Sequence, residues 1–227
     1  MSSGLQTLEQ KMTARSTLQV HDCGLTDYRT VLEMQLALRA ERQQNEIPDT
    51  VLLVEHPPVI TLGARQSRNK LLVSRGNLTR NGIDVVDVRR GGGTTAHNPG
   101  QVVIYPVLHL PSLGLCISDY VRKLELIGLE LLRQLGVESA RKPGSPGLWV
   151  EDRKIASVGV RVSRLTTYHG MAINIHNDLS IFDSIVPCGI DNVEMTSVLK
   201  ETGNRPSMTE VKERLTPLLR AHLSGGK

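Results

Sequence analysis

Residues 89–100 read RRGGGTTAHNPG, four glycines and a proline in twelve positions, between the apolar runs IDVVDV (83–88) and QVVIYPVLHL (101–110). So much glycine and proline is expected to keep the segment out of regular structure. The plan here is therefore two strands joined by a long excursion, not by a helix or a tight turn. Glycines in such an excursion let the backbone approach a ligand and offer bare amides to an anion or a carbonyl. Arg90 adds paired donors suited to a phosphate or carboxylate. The spacing fits neither the P-loop nor the dinucleotide fingerprint, since no Gly-Lys-Ser/Thr follows and no helix opens directly after.

The remaining elements are read from hydrophobic period. TLQVHDCG (17–24) is a short strand. Thr26 is expected to cap a helix running to about Asn45, with Tyr28, Val31, Leu32, Leu36 and Leu38 on its inner face. TVLLVEHPPVITLG (50–63) gives a strand, a Pro-Pro break and a second strand; the basic, polar residues 64–82 are expected to form a loop. Ser118 should cap a second helix, with Val121, Leu124, Leu131, Leu132 and Leu135 inward and Gly136 at its end. GLWVE (147–151), KIASVGVRV (154–162) and HGMAINIH (169–176) are strands, the last two alternating like half-buried antiparallel neighbours. Residues 179–197 are turn-rich. Ser207 and Glu210 have capping-box spacing before a helix carrying Val211, Leu215, Leu218, Leu219 and Leu223, which Pro217 should kink. Strands in runs, with helices between them, indicate an α+β fold: a mixed β-sheet flanked by helices. Residues 1–16 are expected to be a flexible tail and 17–227 a single domain.

Composition excludes several functions. Aromatics are 3% of the chain, too few for the stacking platforms of a single-strand nucleic-acid binder. A net charge of +4 falls short of a duplex binder's basic stripe. No apolar run reaches membrane-spanning length. Cys23, Cys116 and Cys188 have no paired spacing, which suits a reducing compartment. With no signal-peptide plan at the N-terminus, the expected location is the cytoplasm. No Cys-x-x-Cys pair or helical His pair suggests a metal site.

Cys188 lies in IVPCGI, where proline before and glycine after hold the thiol on a sharp turn. Such a thiol becomes an effective nucleophile when a nearby cation raises its thiolate fraction. Lys154, at the head of an apolar strand, is the candidate cation; His97 and His169, each in a glycine-containing stretch, are rival partners. Each has a plainer reading as a packing thiol, a solvated strand end or a structural histidine. Cys23 and Cys116 read as packing residues at element edges.

Five ordered blocks carry a resemblance: EHPPVITLG (55–63), RGGGTTAHNPGQVVIYPV (90–107), GLWVEDRKIASVGV (147–160), HGMAINI (169–175) and PCGI with TS (187–197). In these the chain resembles the lipoyl(octanoyl) transferases, which move octanoate from acyl carrier protein to lipoyl domains. The resemblance implies the catalytic-domain fold of biotin and lipoate protein ligases, opening on an acyl tunnel. It implies that Cys188 bears the acyl thioester and that Lys154 lowers that thiol's pKa. It assigns acyl binding to Arg90, Gly91, Gly92, Gly93, Thr94, Thr95, Ala96 and His97, to Ser157, Val158 and Gly159, and to Gly170, Met171 and Ala172. The family usually has an aromatic before the histidine and a glycine after it, where this chain has Ala96 and Asn98. That exchange bears on the acyl pocket wall.

The resemblance implies no cofactor, octanoyl-acyl carrier protein as donor, and as acceptors the lipoyl domains of 2-oxoacid dehydrogenase complexes and the glycine cleavage H protein. Backbone amides near Gly159 or Gly189 are the expected oxyanion donors. Two other readings stand beside it: an ATP-dependent lipoate or biotin ligase, and a non-catalytic acyl- or lipoyl-binding module on the same fold.

Overall fold

The computed structural model describes residues 18–190 and 193–225, apart from the side chain of Cys188. The expected tail, residues 1–16, lies outside them. In chain order the first half carries β1 (Gln19–Leu25), α1 (Tyr28–Gln43), β2 (Thr50–Glu55), β3 (Val59–Leu62), α2 (Arg75–Arg80), β4 (Asp84–Asp87), β5 (Thr95–His97) and β6 (Gln101–Val107). The second half carries α3 (Ile117–Gln134), β7 (Ala140–Lys142), β8 (Ser145–Val150), β9 (Arg153–Ser163), β10 (Thr166–Asn174), α4 (Val198–Thr202) and α5 (Met208–Leu223).

Alternation along the apolar strands sets the layers. On β2, Val51 and Leu53 join one buried cluster while Leu52 and Val54 join another; on β6, Val102 and Ile104 divide likewise from Val103 and Tyr105. A sheet apolar on both faces needs a layer on each side. α3 and α5 cover the first face through Leu124, Ile127, Leu131, Leu215 and Leu219, and α1 covers the second through Tyr28 and Val31. The sheet between them has seven strands in the order β1-β2-β6-β10-β9-β8-β7. β1 pairs with β2 in parallel and the other pairs are antiparallel. A second sheet, β4-β3-β5, pairs β3 with β4 in parallel and with β5 antiparallel. The fold is thus the mixed, helix-flanked sheet expected of the sequence.

Several local expectations are corrected. The cap of α1 is Asp27, whose carboxylate accepts from Arg29 N and Thr30 N; Thr26 instead donates its hydroxyl to Cys23 O. Leu36 is solvent-exposed, and the inner face of α1 is completed by Gln35 and Arg42. The stretch 64–82 holds α2, capped by Ser74 through Asn77 N. Cys116, not Ser118, flanks α3, with no side-chain cap, and Cys116 is exposed rather than packed. The glycine-rich excursion contains β5, because residues 95–97 find a partner in β3. β10 is buried at every position instead of half-buried, since helices cover both faces of the sheet there. α5 is capped as expected, Ser207 accepting from Glu210 N, and it runs on through Pro217 to Leu223.

A buried ion pair ties α1 to one end of the β2–β6 pair, where Thr50 lies opposite Val107. Arg42 Nε donates to Asp49 Oδ1 at 2.7 Å, and His109 N donates to the same oxygen at 2.9 Å. Removing the acid leaves a buried guanidinium without its counter-charge. Asp49→Ala should therefore cost about 3 kcal/mol, seen as a lower denaturant midpoint at an unchanged m-value.

Candidate active site

The glycine-rich loop is seated on residues 63–68 backbone against backbone. Ala64 N donates to Arg90 O at 2.9 Å and Arg65 N to Gly92 O at 3.2 Å. A Cβ on Gly93 would stand 2.2 Å from Arg68 O, so only glycine allows this approach. Gly91 N donates to Val160 O at 2.9 Å and fastens the loop to β9.

Seated there, the loop closes a narrow cleft over the sheet. Arg90, Gly91, Gly92, Gly93, Thr95 and His97 form one wall; Ser157, Val158 and Gly159 of β9 with Gly170, Met171 and Ala172 of β10 form the other. These are residues singled out from the sequence, and the fold brings them together. Thr94 and Ala96 do not line the cleft. β5 is a strand with a two-residue period, so Thr95 and His97 turn inward, while Ala96 enters the cluster of Ile60, Leu78 and Phe182. Thr94 Oγ1 accepts from Lys70 N at 3.0 Å. Asn98 also faces away, donating to Asp178 O at 2.8 Å and accepting from Asn177 Nδ2 at 3.1 Å.

Arg90 stands in the wall of the cleft. It is buried, with Nε and Nη2 donated to Thr61 Oγ1, Nη2 also to Thr61 O at 2.8 Å and Nη1 to Gly91 O at 3.1 Å. These bonds make it part of the wall.

Tyr28, Tyr105 and His169 complete the cleft; the two tyrosines were not singled out from the sequence. His56 Nδ1 donates to Thr26 O at 2.7 Å, so its Nε2 accepts from Tyr105 OH at 2.9 Å. His97 Nδ1 is 2.7 Å from Gln101 Oε1, whose amide nitrogen is donated to Asn174 and Ala96. That assigns the proton to Nδ1. His169 has φ +56, and its backbone N donates to Gln35 Oε1 at 2.7 Å. Its Nδ1 has no hydrogen-bond partner among the described residues. Burial lowers the His97 pKa to about 3, reinforced by His56 and Arg90, and the His169 pKa to about 3, reinforced by Arg90. Burial likewise raises the Tyr28 pKa to about 12. These side chains are neutral near pH 7, beside the charged guanidinium of Arg90 in the same lining.

Lys154 stands at a neighbouring hollow of about 310 Å³ that shares Gly91, Gly92, Val158 and Gly159 with the cleft. Neither His97 nor His169 lines this hollow. Lys154 is 2% exposed, so it is no solvated strand end. Its Nζ donates to Pro146 O at 3.0 Å. Its backbone bridges to the chain that follows the Cys188 turn: Lys154 N donates to Glu194 O at 2.8 Å, and Thr196 N to Lys154 O at 2.9 Å.

Cys188 itself occupies a 3-10 turn, Pro187–Gly189, and its side chain lies outside the described structure. The turn leans on the same residue as the glycine loop, because a Cβ on Gly189 would stand 2.6 Å from Arg68 Cβ. Ile190, two residues on, lines the Lys154 hollow. Of the two amides weighed as oxyanion donors, Gly189 N is already donated to Val186 O at 3.0 Å.

A family model, the lipoyl protein ligase A/B catalytic domain, matches residues 27–219. The chain belongs to this family. An octanoyltransferase of Syntrophobacter fumaroxidans is 45% identical over 197 residues, 87% of this chain and 86% of that protein. A mitochondrial octanoyltransferase of Arabidopsis thaliana is 40% identical over 210 residues, 92% of this chain and 89% of that protein. Among solved structures, lipoate-protein ligase A bound with ATP superposes with a TM-score of 0.68 at 16% identity, covering 92% of this chain and 85% of that one. A bipartite lipoate protein ligase from Thermoplasma acidophilum, described with its E2 lipoyl domain, gives 0.68 at 17% identity, with 92% and 84% covered. At these identities the structures establish the shared fold of the ligase family, and the octanoyltransferases are the nearer kin in sequence.

The buried histidines of this family member make its stability depend on pH. Burial holds the His56 pKa at about 4 and those of His97 and His169 at about 3, whereas an unfolded histidine titrates near 6.5. The unfolded chain thus takes up protons first. Each histidine's contribution is complete above about 6.5 and is lost as the pH falls toward 4, at roughly 1.4 kcal/mol per unit. Urea unfolding across this interval should show the decline, and His97→Gln should make it shallower.

Proposed function

We infer that this chain transfers octanoyl groups onto lysines of lipoyl domains, in the making of the lipoyl cofactor, through a thioester on Cys188 with Lys154 as the proton carrier. One observation carries the reading. A lysine withdrawn from water lines a hollow that adjoins the cleft, joined by backbone bonds to the segment that follows the Cys188 turn. Relatives 40–45% identical over most of the chain bear the name octanoyltransferase, and an acyltransferase of their kind is what this arrangement serves.

In this mechanism the Lys154 ammonium faces the Cys188 thiolate. The thiolate attacks the octanoyl thioester of acyl carrier protein, and the donor sulfur leaves as a thiol with the proton of Lys154. One thioester replaces another, so the step is nearly isoenergetic. The acyl chain lies along the cleft, between Arg90–Gly93, Thr95 and His97 on one side and Ser157–Gly159 with Gly170–Ala172 on the other. Neutral Lys154 then takes a proton from the acceptor lysine, which would otherwise stay charged at its free pKa near 10.4. The amine attacks the Cys188 thioester, the amide forms, and the thiolate returns opposite an ammonium, with one proton released to solvent. The amide is downhill from the thioester, so no nucleotide is required.

The proposed acceptors are the lipoyl domains of 2-oxoacid dehydrogenase complexes and the glycine cleavage H protein. The proposed compartment is the cytoplasm, on the unpatterned thiols of the sequence; no helix among the described residues is long and apolar enough to cross a membrane.

Mixing the protein with octanoyl-acyl carrier protein, without ATP, should add one octanoyl mass that hydroxylamine removes. Cys188→Ser should gain none. Lys154→Ala should slow transfer by about 10²–10⁴ and move Cys188 alkylation to higher pH. Transfer that appears only with ATP and free acid, and is indifferent to Cys188→Ser, would make the chain a ligase instead.

A further inference from the structure

Trp149 is the only tryptophan in the chain. It is buried on β8 with the Nζ atoms of two lysines, Lys142 and Lys154, each 5.0 Å from its ring centroid. The two contacts are unequal. The Lys142 side chain is 47% exposed and paired with Asp152 at 2.9 Å, whereas Lys154 is out of water. Attraction between a cation and an aromatic face grows as the cation is desolvated, so the ring acts mainly on Lys154.

The turn that opens β8 completes the surroundings. Trp149 Nε1 donates to Ser145 O at 3.2 Å, and Pro146 O receives the Lys154 ammonium at 3.0 Å. Gly147 follows at φ +121, where a Cβ would stand 2.8 Å from Lys154 Cε and 2.2 Å from Ala156 O. Glu125, buried on α3, accepts from Gly147 N at 3.0 Å and holds the turn down. Other charges nearby are directed elsewhere or lie at the rim. Arg153 bonds Glu201 and Glu151, Glu194 bonds Lys200, and Arg65 and Arg68 line the hollow.

We propose that Trp149 is a positioning residue for Lys154: its ring holds the ammonium where it faces the Cys188 thiolate. The proposal rests on the thioester reading above. Losing the ring lets the ammonium move from its place, the thiolate loses its counter-charge, and the thiol ionises only at higher pH.

Two variants separate this from a structural role. Trp149→Leu removes the ring and the Ser145 hydrogen bond, while Trp149→Phe removes only the hydrogen bond and keeps a ring. In peptide-resolved alkylation, Trp149→Leu should raise the Cys188 midpoint by about one pH unit, about tenfold slower labelling at neutral pH. Trp149→Phe should restore most of the rate. Equal defects in Phe and Leu, or an unmoved midpoint in Leu, would overturn the proposal.

The lone tryptophan supplies an independent readout. Its emission should show a pH-dependent step that vanishes in Lys154→Met and survives in Lys142→Met; the reverse pattern overturns the assignment. Failure of the wild-type protein to gain an octanoyl mass would remove the thioester reading, whereas the emission step would still judge the Trp149–Lys154 contact.

Discussion

Between residues 91–93 and residues 63–68 the chain meets itself with no side chain in the gap, and both halves of the site hang on that contact. The cleft wall is the loop itself, while the Cys188 turn rests through Gly189 on the same Arg68. A methyl group at position 93 would lift the loop from Arg68 and disturb the two together. Arg90 braces the seat from the side, its guanidinium donating to Thr61 and to Gly91 O.

The site is divided electrically. Tyr28, Tyr105, His97 and His169 are held neutral by burial along the cleft, while Lys154 stands in the adjoining hollow. An acyl chain needs the first region and a transferring thioester the second. The four residues common to both, Gly91, Gly92, Val158 and Gly159, mark where the carbonyl of an acyl group would pass from one to the other. Burying an amine is costly unless its surroundings are polar or polarisable; here a carbonyl and an indole face serve that purpose.

Much of this was legible in the sequence, for identifiable reasons. β2, β6, β9 and β10 are long apolar runs whose period is strong enough to survive any tertiary context. The glycine loop stands out by composition, whereas Lys154 and Cys188 are candidates with plainer readings until the family resemblance singles them out. What escaped depends on partners that local sequence does not contain. Thr95–His97 is a strand only because β3 lies beside it, and Asp27 outcompetes Thr26 as a cap because Thr26 has found Cys23 O. The burial of Lys154 involves the turn at 145–147, which Glu125 of α3 holds in place, and local pattern does not disclose that packing. Tyr28 and Tyr105 read as ordinary core positions, and nothing in their own neighbourhoods says that a cleft runs between them.

Ala96 shows how a departure from a family pattern can act at a distance from the site it adjoins. Its side chain belongs to the core of the second sheet, where the chain's one phenylalanine, Phe182, also lies. Ala96 and Phe182 lie in the same apolar layer. The cleft inherits only the position of the β5 backbone. The second sheet is thus a support through which the cleft wall is set by a residue that does not line it.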